Sequence, residues 1–98
     1  QKVSQLLRSP ELENRSFRIE GHTDDTPTAD DGPWETNWEL STARATNVLH
    51  RLVDYNVDED QFQVAGLADN RPIASNESEE GRAYNRRVDI VILSEGHL

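Results

Sequence analysis

Two charges of opposite sign bracket the most polar stretch of the chain, GHTDDTPTADDGPWETNWELSTAR, running from Gly21 to Arg44. Asp24 follows an alternating apolar segment, and Arg44 lies inside a helical pattern further on. A carboxylate accepts hydrogen bonds from an ammonium, and a guanidinium offers a planar fork that matches a carboxylate, so this pair could clamp a small zwitterion. Asn37, Ser41, Arg44 and Val48 recur at i, i+4, i+7 and i+11, which turns Asn37 and Arg44 in the same direction. The plainer alternative is that Asp24 and Arg44 neutralise one another, because partly buried charges are usually matched within the protein. Spacing alone favours that alternative. Arg82, Arg86 and Arg87 form a second positive cluster, to be read either as internal charge pairing or as a local anion seat.

Other chemistries find weaker support. Asp24, Asp25, Asp30 and Asp31 offer oxygen to a hard cation, yet the D-x-D-x-D-G spacing and closing Glu of a calcium loop are missing. His22 has no second His or Cys at zinc-ligand spacing, so it reads as a packed or hydrogen-bonded structural group at a strand end. No metal and no cofactor are expected. Ser41 could be written into a triad with His22 or His50, but no nucleophile elbow surrounds it and its neighbours suit a first helical turn. The sequence therefore reads as a binding protein and not an enzyme. Trp34 and Trp38 flank the polar loop; they could stack on a sugar, and their expected duty is to cover the core beneath that loop.

The elements that must hold these residues follow from periodicity. Val3, Leu6 and Leu7 have helical spacing, so Gln1 to Leu7 reads as the tail of an amphipathic helix ended by Ser9 and Pro10. Phe17 and Ile19 alternate with Arg18 and Glu20 in a half-buried strand that stops at Gly21. Thr36 with Glu39 three residues on has the form of a capping box, and Asn37 is an alternative N-cap. The helix that starts there carries an apolar stripe of Ala45, Val48, Leu49, Leu52 and Val53 and should end near Tyr55 and Asn56. Phe62, Val64 and Gly66 make a second strand, and a polar loop runs from Leu67 to Glu80. A short helix around Glu79 to Asn85 precedes the last strand, Val88 to Leu93, whose nearly continuous apolar run predicts a central strand covered on both faces. Strand, helix, strand, helix, strand is an α/β fold, with helices packed on a small sheet.

Composition bounds the rest. The 98 residues suffice for one domain with a modest core. A net charge of −9 argues against nucleic acid, whose binding rests on clustered Lys and Arg. There is no Cys and no Met, so Gln1 reads as the start of a processed product or an excised domain. No apolar run approaches the ~20 residues of a membrane span.

Four segments together resemble a known family. GHTD at Gly21 to Asp24, N-x-x-LS-x-x-RA at Asn37 to Ala45, G-x-A-x-x-x-P at Gly66 to Pro72 and EGRAYNRRVDI at Glu80 to Ile90 are similar to the OmpA-like peptidoglycan-binding domain. They come in the family's order, over roughly four fifths of the chain. NWELS after an enlarged loop containing T-P looks most like the flagellar stator branch, MotB and PomB. The resemblance implies an OmpA-like β-α-β-α-β sandwich with a mixed sheet, spanning 1–98 as a fragment of a longer membrane-anchored protein. It implies peptidoglycan as partner, bound through the meso-diaminopimelate of its stem peptide. Asp24 would take the ammonium and Arg44 the carboxylate, with Asn37 and Arg86 lining the pocket and Thr23 and Leu67 at its margin. It further implies a periplasmic location, a parent in the inner membrane, a homodimer, and a MotA or PomA channel partner reached through a membrane segment. An OmpA- or Pal-like tether between outer membrane and wall is the alternative. The family's first strand, which precedes the first helix, has no counterpart, so the sheet is expected to lack an edge.

Overall fold

The structure is a computed structural model and describes residues 2–93. Helix α1 (Lys2–Leu7) is followed by strand β1 (Phe17–His22), helix α2 (Asn37–Asp54), strand β2 (Phe62–Gly66), helix α3 (Glu79–Asn85) and strand β3 (Arg87–Ile92). The described strands form one sheet in the order β2-β1-β3, with β1 parallel to β2 and antiparallel to β3. The α/β architecture is the one expected from the pattern, and the mixed sheet is the one the resemblance implies.

Alternation along β1 decides which face meets the helices. Phe17 and Ile19 are fully buried and belong to a core with Leu7, Ala45, Leu52 and Val57. The Phe17 and Phe62 rings stack at 5.2 Å between neighbouring strands. Burying each such side chain stabilises the fold by about 1.5–3 kcal/mol before chain entropy is counted. Helix α2 supplies the other half of this layer, and both of its ends are built by sequence. Thr36 caps it, accepting from Trp38 N while its own N–H donates to Glu39, so the capping box is present. At the far end Asn56 takes φ 68°, and the N–H groups of Asn56 and Val57 donate back to Val53 and Leu52. Asn tolerates this left-handed turn, and the turn delivers Val57 into the core.

One expectation fails. β3 is not central; β1 is, and β3 borders β1 alone among the described strands. Its residues through Val91 are half-buried and Ile92 is exposed. The apolar run misled because Val88 and Ile90 share the register of Gly21 and Ile19, facing α2, while Val91 falls opposite Arg18 on the polar face. Among the described residues no helix is long and apolar enough to cross a membrane.

Candidate functional site

The loops that leave β1 and β2 emerge side by side, since these strands are parallel, and main-chain bonds tie them together. Leu67 N–H donates to Gly21 O at 3.0 Å and Thr23 N–H donates to Ala68 O at 2.9 Å. Ala68 is held in the left-handed region at φ 54°, a conformation costly for a residue with a Cβ. Its N–H is captured by Ser41 Oγ at 3.1 Å, and Ser41 in turn donates to Trp38 O. Ser41 is thus a buried structural hydroxyl that joins α2 to the loop.

Helix α2 lies directly on the strand ends. A Cβ on Gly21 would stand 1.9 Å from the Ser41 carbonyl oxygen, and one on Gly66 would stand 2.0 Å from Thr42 Oγ1. Only glycine lets helix backbone and strand backbone approach so closely. This contact brings the start of α2, with Asn37, to the loop that carries Asp24, and Arg44 lies two turns further along the same helix.

Asp24 is buried and already matched. Its Oδ1 accepts from Thr26 N–H at 2.9 Å, and its Oδ2 accepts from Arg86 Nη1 at 2.8 Å. Burial is the largest single influence on its carboxyl and works against the charge. The Thr26 and Arg86 bonds together outweigh burial and hold the pKa below the usual value. Arg86 also binds Glu79 at 2.7 Å, which lowers the Glu79 pKa and raises that of Arg86. Arg86 owes its position to its neighbour Asn85, which is fully buried. The Asn85 side-chain oxygen accepts from Ile73 and Ala74 N–H, and its amide donates to Ala74 O and Asn76 Oδ1, so all its hydrogen-bonding capacity is used.

The mutual pairing of Asp24 and Arg44 that spacing alone favoured is not found among the described residues; Asp24 pairs with Arg86, a residue 62 positions away. Arg44 is half-buried, and its side chain makes no hydrogen bond or ion pair with any described residue. Asn37 closes the loop at its base, donating to Thr26 O at 3.1 Å and Asp24 O at 3.4 Å. Thr23 is buried and spends its hydroxyl on Asp24 O. Leu67 joins the site through its backbone, while its side chain lines a groove beside Glu20 and His22. The arginine cluster is internal pairing: Arg82 with Glu79, Arg86 with Asp24 and Glu79, Arg87 with Asp89. Trp34 and Trp38 do not cover the core; both are exposed, Trp38 by 52 %. The part of Glu79 was not legible, because nothing in its local sequence separates it from the other acidic residues of that loop.

The sequence matches the model of the OmpA family over residues 1–86. The chain belongs to the OmpA family. Among its relatives, outer membrane protein Omp38 of Acinetobacter baumannii is 49% identical over 88 residues, 89% of this chain and 23% of that protein. Motility protein B of Bacillus subtilis is 39% identical over 83 residues, 84% of this chain and 31% of that protein. Peptidoglycan-binding protein ArfA of Mycobacterium tuberculosis is 45% identical over 74 residues, 76% of this chain and 21% of that protein. This OmpA-family domain thus spans less than a third of the length of any of these three. The crystal structure of the periplasmic domain of Helicobacter pylori MotB superposes with a TM-score of 0.85 at 28% identity, covering 97% of this chain and 59% of that one.

Proposed function

We propose that this domain binds peptidoglycan without catalysis, holding the meso-diaminopimelate of the stem peptide between Asp24 and Arg44. The reading rests above all on Arg44, a half-buried cation with no partner among the described residues, in a site whose carboxylate is already satisfied. Leaving such a charge unmatched within the fold is unfavourable, and a ligand carboxylate relieves it. Asp24 keeps unused acceptor positions on its two oxygens, so it can take an ammonium without releasing Arg86. Asn37 and Arg86 fix the walls, and Thr23 and Leu67 shape the floor through main-chain bonds. Similarity to the peptidoglycan-binding protein ArfA supports peptidoglycan as the partner.

In the same reading the domain is the periplasmic anchor of a flagellar stator, a homodimer whose inner-membrane parent works with a MotA- or PomA-type channel partner. Similarity to motility protein B and to the H. pylori MotB periplasmic domain supports this. A second reading, a tether in an outer-membrane protein, is favoured by the 49% identity to Omp38. Co-sedimentation of the domain with sacculi tests the binding: retention on diaminopimelate-type wall and none on lysine-type wall is expected, and equal retention refutes the pocket. Fractionation of the full-length parent between inner and outer membranes separates the two readings.

A further inference from the structure

The sheet face turned away from α2 carries a second constellation. Gly21 and Gly66 abut α2, so Arg18, Glu20 and His22 of β1 point to the other side, as do Arg87 and Asp89 of β3. Glu20 and Asp89 stand directly opposite one another across the antiparallel pair, a like-charge arrangement that Arg18 and Arg87 offset from its flanks. His22 is 2 % exposed, and neither of its ring nitrogens has a hydrogen-bond partner among the described residues. Yet Nε2 lies 3.4 Å from Glu20 Oε1 and 3.3 Å from Asp89 Oδ2. The three residues can each bring one ligand atom within 4.8 Å of the others.

We propose that Glu20, His22 and Asp89 form a site for a divalent transition ion of the zinc class. A tetrahedral ion held about 2.0–2.1 Å from its ligands needs ligand-to-ligand edges of about 3.3 Å, the spacing found on both sides of Nε2. An octahedral magnesium ion at about 2.1 Å needs adjacent edges of only about 3.0 Å and has little use for imidazole. One nitrogen and two carboxylates leave the fourth position to solvent or to an incoming group. The surroundings already orient these ligands. Glu20 gives Oε2 to Arg18 at 2.8 Å and so turns Oε1 toward His22, the arrangement a ligating carboxylate needs in its outer shell. Asp89 shares Oδ2 with Arg87 at 3.1 Å, and Arg87 retains the carbonyls of Asn85 and Arg71 when a metal takes that oxygen. The two guanidinium charges offset the carboxylates and weaken the site relative to one whose carboxylates are unpaired.

A groove of about 490 Å³ is lined by Glu20, His22 and Asp89 together with Arg18, Arg71 and Arg87, and gives an ion its entry path. Sequence spacing hid the site, because a strand pairing brings Asp89 to His22.

Calorimetric titration of the full chain with zinc, in a buffer that does not chelate, tests the assignment. One saturable site is expected, weakened at least about tenfold in Glu20→Gln and in Asp89→Asn and undisturbed by excess magnesium. Cobalt should give the intense visible absorption of a four-coordinate ion with the native chain and lose it with either variant. These two carboxylates are the residues to change because buried His22 also supports the fold. No saturable zinc binding below about 100 μM, or equal affinity in native and variant chains, overturns the proposal.

Discussion

Arg44→Ala separates a ligand-binding arginine from a structural one. In the free domain the Arg44 guanidinium has no partner among the described residues, so truncation breaks no hydrogen bond or ion pair. Only the packing of its half-buried aliphatic stem is lost, and unfolding in urea should shift by less than about 1 kcal/mol. Binding responds differently. Removing one partner of a desolvated charge pair costs about 2–4 kcal/mol, roughly a thirty- to thousandfold rise in Kd. A lysine-type peptide lacks the carboxylate and suffers the same loss against the native domain. Calorimetry of both peptides with both proteins closes a double-mutant cycle: Arg44→Ala should bind the two peptides within about 0.5 kcal/mol of each other. If the variant still prefers diaminopimelate by the native margin, Arg44 does not read the carboxylate and the pocket assignment falls. Asp24→Ala is a poorer probe, because it also strips Thr26 N–H and Arg86 of a buried acceptor and lowers stability by about 1–3 kcal/mol.

Three further outcomes are expected. Gly21→Ala drives a Cβ to 1.9 Å from the Ser41 carbonyl oxygen, which is backbone and cannot swing aside, so it should cost about 3 kcal/mol or more in a denaturant titration. The folded-state pKa of Asp24 is lowered, so its contribution to stability is complete above the unfolded value of about 4 and disappears as pH falls through the folded value. Urea midpoints for the native domain should accordingly drop below about pH 4 more steeply than those of Asp24→Asn. Trp34→Ala and Trp38→Ala should each cost less than about 1 kcal/mol by thermal unfolding, against about 3–5 kcal/mol for a Trp in a core.

What the sequence made legible and what it hid divide by range. Helix α2 could be placed from Thr36 to Tyr55 because its cap, its stripe and its stop are all local. β1 was legible from strict alternation. The place of β3 in the sheet was not, since an apolar run states that a strand is covered without stating by which neighbours. Arg86 could be nominated only by resemblance; that it grips Asp24 depends on α3 folding back across the loop ends, where Asn85 fixes the chain. The tryptophans were misread because a large apolar residue predicts burial on average, whereas Trp34 sits in a loop tied by hydrogen bonds and Trp38 on an exposed face of the first turn of α2. The Glu20, His22 and Asp89 cluster is a product of strand register and has no signature along the chain.

The two bonds from Asn37 to Asp24 O and Thr26 O make the acidic loop a closed excursion. Its ends meet at a fixed gate, and what lies beyond that gate bears no load from the pocket. Chain length there is consequently a free variable: doubling it costs only about 0.6 kcal/mol of closure entropy. An epitope or fluorophore-bearing peptide spliced between Asp30 and Gly32 would leave Asp24, Arg86 and Arg44 where they stand. The loop is a natural handle for labelling the domain while it holds its ligand.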